Sequence, residues 1–233
     1  MNFPEVKSNI ILRILLILCI FLVISIYFIY RPKSSPAGTE VSGCAASLVM
    51  LIITLLLLWR LKDRTIDESQ KKNVSAGICF GLLWTVEIGI NNLIHPGLPL
   101  RDIIDDTFWA IIALLIFVTA ATDAYRSDRF LSGLLSGFWS GFSSGAVACL
   151  TALMLIVFGM KYIITDPLNI REWNDLKATA DSSSMAVYFA YQTFAGAIMH
   201  LFVLGIFMGL FLGTIGGLAG KAMKIILIRS DKN

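Results

Sequence analysis

The residues of this chain best suited to chemistry are polar side chains inside otherwise apolar stretches. Glu87 and Asn91 lie one helical turn apart in the stretch GLLWTVEIGINN, with Trp84 beside them and Asn92 adjacent. Ionisable residues within membrane-spanning helices are costly, and they usually face a protein interior or a water-filled cavity. Glu87 is therefore the first candidate for binding a cation or a polar solute.

A second polar group opens the next apolar stretch. The segment RDIIDDTFW places four residues on one helical face: Asp102, Asp105, Asp106 and Trp109. His200, with Gln192 two turns before it, falls near the same predicted depth of the membrane. We predict an outward-facing polar vestibule that binds its ligand through Glu87, Asn91, His200, Asp105, Asp106 and Trp84.

Purely structural roles remain open for each of these residues. Glu87 also suits a hydrogen-bonded carboxyl that joins two helices, and His200 suits a contact between helices. Aspartates in a first helical turn are favoured by the helix dipole alone. A cation site needs several converging oxygen ligands, and spacing in the sequence does not establish convergence.

Motifs for catalysis and for metal or cofactor binding are weak. Residues 141 to 145, GFSSG, match the GxSxG pattern around Ser143, but that mechanism needs a strand, a strained turn and a helix. The chain has two histidines, His95 and His200, and its cysteines lie one to a segment, which is typical of small apolar residues. The cysteines are Cys19, Cys44, Cys79 and Cys149. We predict a protein that is not an enzyme and holds no metal or cofactor.

Composition determines which elements must position these residues. The 233 residues are 57% hydrophobic and 15% charged, which is more apolar surface than one soluble domain can bury. Runs of about 20 apolar residues have the length of helices that cross a bilayer. The sequence predicts an all-α bundle, a single transmembrane domain with about six spans and the lipid bilayer as a partner. The predicted spans are about 9–30, 42–60, 74–94, 103–124, 131–162 and 186–220.

Charge predicts how these spans are oriented. With Arg13 set aside, twelve Lys and Arg residues lie in the loops or at span ends on the side of both termini, and six lie on the other side. Positively charged loops are retained in the cytoplasm, so we expect a protein of the cell membrane with both termini cytoplasmic. The charge of +3 forms no basic patch with aromatic residues, which argues against nucleic acid as a partner.

In the outer loop, 163–185, Asp166 before Pro167 predicts a short interfacial helix anchored by Trp173.

Glycine recurs every four residues in two of the spans. One stripe lies within SGLLSGFWSGFSSG and comprises Gly133, Gly137, Gly141 and Gly145. The other lies within GIFMGLFLGTIGG and comprises Gly205, Gly209, Gly213 and Gly217. Glycine stripes let helices approach closely in lipid, and both stripes fall at the same predicted depth. We expect the last two spans to form a tight antiparallel hairpin; a contact with another helix or with a second copy of the chain remains open.

Three functional hypotheses follow. The first is a component of a small-solute or cation transport system that binds its ligand in the outer vestibule. The second is a non-catalytic accessory or assembly subunit, in which the stripes and the Trp173 loop contact a membrane protein partner or a second copy in a homo-oligomer. The third is a sensor that signals through the charged inner loop, 60–72. The orientation of Glu87, toward a cavity, a helix or lipid, distinguishes them.

Overall fold

The computed structural model describes residues 8–30, 39–60, 68–177, 182 and 184–230. Every regular element in these residues is helical. Two π-helical segments, π1 (Ile90–Ile94) and π2 (His200–Met208), continue α3 and join α7 to α8. The α-helices are α1 (Ser8–Tyr30), α2 (Thr39–Arg60), α3 (Glu68–Gly89), α4 (Leu100–Ser127), α5 (Phe130–Thr165), α6 (Pro167–Leu176), α7 (Met185–Met199) and α8 (Gly209–Ser230).

Six helical stretches in the described residues are long and apolar enough to cross a membrane. They are Ile10–Tyr30, Gly43–Arg60, Ser69–Ile94, Leu100–Ser127, Phe130–Thr165 and Met185–Leu227. The prediction of an all-α bundle with about six such helices is confirmed, and the chain has the composition of a multi-pass membrane protein.

Two helices extend further than the hydropathy of the sequence indicates. The third span begins at Glu68 rather than near residue 74, and the last helix continues to Ser230 rather than ending near residue 220. Glu, Gln and Lys favour the helical conformation, so a helix can continue past the end of its apolar run. Hydropathy therefore locates the apolar part of each helix rather than its ends.

The central element is α5, which packs against α1, α3, α4, α7, π2 and α8. Every residue from Trp139 to Cys149 is buried. A helix buried on all sides belongs at the centre of a bundle, and small residues allow many neighbours to approach it. Ser140 and Ser143 are accommodated there because each hydroxyl donates to a carbonyl of the preceding turn, at 2.8 Å and 2.6 Å.

Glycines of α5 lie against glycines of the last long helix. A Cβ placed on Gly141 would lie 2.7 Å from the Cα of Gly209, and one on Gly133 would lie 2.6 Å from the Cα of Gly217. On Gly145, a Cβ would meet the Cα of Gly205 at 2.8 Å. These approaches leave no room for a side chain. We call this line of contacts the glycine seam. Its remaining pair, Gly137 and Gly213, is the closest of the four.

Other glycines make contacts that their spacing in the sequence does not indicate. Gly77 and Gly81 of α3 face α5, where a Cβ on Gly81 would lie 2.5 Å from the Cβ of Val147. Gly216 and Gly220 of α8 face α4 instead, since a Cβ on Gly216 would meet the carbonyl oxygen of Phe117 at 2.7 Å. The last helix therefore presents glycine to α5 on one face and to α4 on another.

The segment between α5 and α7 contains the short helix α6. Asp166 caps α6, because its side chain accepts from the backbone N–H of Leu168 at 2.9 Å, and Pro167 takes the first helical position. Ser184 caps α7 in the same way by accepting from Val187. These caps fix where α6 and α7 begin at the predicted outer end of the bundle.

Candidate functional site

Glu87, Asn91 and Asp105 meet between α3 and α4. The Asn91 Nδ2 donates to Glu87 Oε1 at 2.5 Å and to Asp105 Oδ1 at 2.6 Å. Glu87 is 7% exposed and Asn91 is 5% exposed, whereas Asp105 is half-buried. One amide group thus holds two carboxyl groups together inside the bundle. We call Glu87 and Asp105 the carboxyl pair.

Burial leaves part of this group without a hydrogen-bonding partner. The Oδ1 of Asn91 is buried and accepts no hydrogen bond. In the described residues, neither carboxyl accepts from a Lys or Arg side chain. Buried charges are stable when they are paired, and a buried acceptor normally has a donor. This arrangement lacks both a positive charge beside the carboxyls and a donor for the amide oxygen.

An aromatic layer lies next to the carboxyl pair. The ring of Trp84 meets the ring of Trp109 edge-to-face with centroids 5.1 Å apart, and it meets the imidazole of His200 in the same way at 5.0 Å. The Nδ1 of His200 lies 2.7 Å from the carbonyl oxygen of Gly196. A carbonyl can only accept, so Nδ1 carries the hydrogen and Nε2 of the neutral ring remains an acceptor.

His200 also lines a cleft of about 250 Å³ beyond this layer. The cleft lies at the predicted outer end, and we call it the polar cleft. Residues of α3, π1, α4, α5, α6, α7 and π2 line it. Its apolar base includes Ala152, Leu155 and Phe189. Its polar lining comprises Asn92, Arg101, Asn169, Gln192, Thr193 and His200.

The charge of Arg101 at the cleft is neutralised. Its Nη1 donates to Asp166 Oδ2 at 2.8 Å, and the Asp166 side chain is 2% exposed. Asn169 donates through Nδ2 to the carbonyl oxygen of Ile163 at 2.8 Å. The Oδ1 of Asn169 can therefore accept a hydrogen bond from a ligand. The lining therefore offers donors and acceptors without a net charge, which suits a neutral or zwitterionic solute.

A carboxylate at the rim of the cleft joins α6 to α7. Glu172 Oε1 accepts from the Tyr188 hydroxyl at 2.8 Å and from the Gln192 Nε2 at 3.0 Å. Trp173, expected as an interfacial anchor, lies beside Tyr188 with ring centroids 5.8 Å apart. These contacts join α6 to α7, and both helices contribute residues to the lining of the cleft.

The residues predicted to form one vestibule fall into separate places. Glu87, Asn91 and Asp105 converge between helices, whereas His200 faces the polar cleft. Trp84 contacts His200 and Trp109 through its ring. Asp106 is exposed on α4, although its spacing placed it with Asp105. Glu87 thus faces another helix, because the rotation of α3 about its axis is set by packing against α4 and α5.

Several residues of the site were missed from the sequence. Arg101 and Asp166 are 65 positions apart in the chain and pair only in the folded structure. A further polar cluster joins the other ends of α3 and α4: Asp123 Oδ2 accepts from Asn73 at 2.7 Å and from Ser69 at 2.9 Å. The adjacent pair Asn91-Asn92, unusual within an apolar stretch, was the available signal for π1.

The π-helical segments coincide with two of the candidate residues. Asn91 lies inside π1, and His200 is the first residue of π2. A π-helical turn contains an extra residue and often marks a functional position. Here one such segment contains the amide that joins the carboxyl pair, and the other begins at a residue that lines the polar cleft.

Comparison of the chain with protein-family models, curated proteins and solved structures finds no match.

Proposed function

We propose that this protein is the solute-binding component of a membrane transport system and takes a small neutral or zwitterionic solute into the polar cleft from outside. The observation that carries the proposal is the cleft itself, with six polar side chains around about 250 Å³. Sites for small ligands are concave, largely apolar and supplied with a few convergent polar groups, and this cleft has those properties.

The proposal also includes the orientation of the protein in the cell membrane. Both termini lie in the cytoplasm, in keeping with the excess of Lys and Arg on their side. The fifth and sixth spans form an antiparallel glycine hairpin, supported by the close approach of Gly141 to Gly209 and of Gly133 to Gly217. The hairpin would hold α7, and with it one wall of the cleft, against α5.

Cysteine labelling tests whether the cleft opens outward. The four native cysteines are replaced by alanine, and Thr193→Cys is treated with a membrane-impermeant maleimide from outside intact cells. We expect labelling at Thr193, as at an Asn174→Cys control on exposed α6, and no labelling at Phe158→Cys, whose apolar side chain is 71% exposed on the predicted lipid-facing surface. Labelling at position 174 without labelling at 193 would contradict the proposal.

A thermal-shift screen then tests solute binding. Purified protein is heated with individual amino acids, polyols and monosaccharides, alongside a Thr193→Trp variant whose indole fills the cleft. A solute that binds there raises the midpoint of unfolding of the unsubstituted protein and not that of the variant, since a ligand stabilises the state it binds. Equal shifts in both proteins would place binding elsewhere.

One observation favours the alternative function, an accessory subunit of a larger membrane complex. Helix α2 packs chiefly against α1, and much of its surface is apolar and exposed. Its exposed side chains include Val49, Ile52, Ile53, Leu56 and Leu57. A photo-crosslinking residue at position 57 would form a protein adduct in native membranes if this face were a subunit contact. Adducts with lipid alone would contradict it.

A further inference from the structure

The carboxyl pair places two acidic groups side by side inside the bundle, and the proposed role of the polar cleft does not account for them. Glu87 and Asp105 both accept from the Nδ2 of Asn91, at 2.5 Å and 2.6 Å, so a single nitrogen atom brings the two carboxyls close together. Two neighbouring carboxylates in a site of low dielectric repel one another, so they do not both stay ionised without a compensating positive charge.

The groups around the pair do not supply that charge. From α4, Arg101 is near enough to interact with Glu87, but its guanidinium is hydrogen-bonded to Asp166. Asp102 and Asp106 on the same helix add negative charge and are exposed. Helix α5, which also packs on α3, has no charged residue from Phe130 to Met160. From π2, His200 already donates its Nδ1 hydrogen to Gly196 and contacts Trp84.

Hydrogen bonding points to a single added proton. With both carboxyls ionised, each N–H of the Asn91 amide serves one carboxylate, no positive charge compensates the pair, and the buried Oδ1 of Asn91 has no donor. A proton on one carboxyl supplies an O–H that can donate to the other carboxylate or to the amide oxygen. The N–H groups of Asn91 then serve the remaining charge, and the amide can present either end because its oxygen and nitrogen have the same shape.

We propose that Glu87 and Asp105 form a binding site for one exchangeable proton, shared between them and positioned by Asn91. Asp105 is half-buried, and two exposed aspartates lie near it, Asp102 one turn before it and Asp106 next to it in the chain. The proton therefore exchanges with solvent at the predicted outer end. The proposal stands independently of the polar cleft.

Dicyclohexylcarbodiimide tests the site, because this apolar reagent reacts with protonated carboxyl groups inside membranes. The carboxyl proton moves to a nitrogen of the carbodiimide and the carboxylate oxygen bonds to its central carbon. Rearrangement gives an N-acylurea that contains both reactants and releases no leaving group. We expect one adduct per full-length chain, mapped by peptide mass to Glu87 or Asp105, with less adduct as the pH is raised.

Matched variants locate the shared proton. Glu87→Gln removes the buried carboxyl and the repulsion between the pair, so the adduct should fall by about tenfold or more at neutral pH. Asp105→Asn removes the like charge beside Glu87 but not its burial, so labelling of Glu87 should cease at a lower pH than in the unsubstituted protein. Asp106→Asn, an exposed carboxyl next in the chain to Asp105, should label as fully as the unsubstituted protein.

Three outcomes would overturn the proposal. Absence of an adduct on both residues would show that both carboxyls are ionised. Protection by Na⁺ at constant pH would identify a metal cation as the occupant instead. Infrared spectroscopy of the unsubstituted protein supplies a check that does not depend on the folding of any variant. A protonated carboxyl has a C=O stretching band at higher frequency than the amide bands, and this band shifts in D₂O. If the band were absent, the shared proton would also be refuted.

Discussion

Replacing Gly141 by alanine is the sharpest test of the glycine seam. The added Cβ would lie 2.6 Å from the carbonyl oxygen of Gly205 and 2.7 Å from the Cα of Gly209. Both are backbone atoms, so no side chain can rotate away. Carbon atoms in ordinary contact lie about 3.5–4.0 Å apart, so α5 and the last helix must separate by roughly 1 Å at this level.

The expected loss of stability follows from that separation. A gap of about 0.5–1 Å forfeits about a quarter to a half of each dispersion contact along the seam. In lipid these contacts have no hydrophobic drive to replace them. Overpacking typically costs about 1–3 kcal/mol, and the better helix propensity of alanine offsets up to about 1 kcal/mol of it. We expect a net loss of about 1–2 kcal/mol in the free energy of unfolding.

Gly196→Ala is the matched control, because a Cβ on Gly196 would have no atom within 4 Å. It lies on the same continuous helix as Gly205, so alanine there should be neutral or stabilising by up to about 1 kcal/mol. Equilibrium unfolding in mixed micelles, with denaturing detergent as the variable, measures both variants. If Gly141→Ala proved as stable as Gly196→Ala, the close approach at the seam would be refuted.

Two further substitutions test the polar contacts. Asp166→Ala removes the cap of α6 and leaves Arg101 without its partner. Because Arg101 is part-exposed, we expect the free energy of unfolding to fall by about 2–4 kcal/mol in the same assay. The exposed Asp175→Ala should change it little. Asn73→Ala leaves Asp123 without one of its donors and should cost about 1–3 kcal/mol, whereas the exposed Ser75→Ala should stay within about 0.5 kcal/mol. Unfolding of Asp166→Ala at the same detergent fraction as the unsubstituted protein, or equal stability of the two α3 variants, would count against these contacts.

The spacing of polar residues along α3 and α4 now has a structural explanation. Asn91 and Glu87 meet Asp105 near one end of the helix pair, and Asn73 meets Asp123 near the other. Both ends of the pair are therefore joined by a buried amide that donates to a carboxylate of α4. Charge-assisted hydrogen bonds of this kind fix the relative position of two helices, which apolar contact in lipid does not.

The sequence by itself determined the membrane-spanning architecture. Apolar runs of bilayer length, such as Ile10–Tyr30, can satisfy their backbone polar groups in lipid only as helices, so the number of long helices followed from hydropathy. Asp166 followed by Pro167 indicated where α6 begins, since that pairing is local in the chain. Glycine spacing indicated which faces of two helices allow close approach.

The tertiary structure alone decided what each polar side chain faces. Periodicity places Glu87 and Asn91 on one side of α3, but the rotation of that helix is set by its contacts with α4 and α5, and it turns Glu87 toward Asp105 rather than the polar cleft. Arg101 and Asp166 are remote in sequence, so their pairing depends on how α4 and α5 end beside each other. The π-helical turns, too, depend on neighbours, because an extra residue per turn is stable where packing compensates for its poorer geometry.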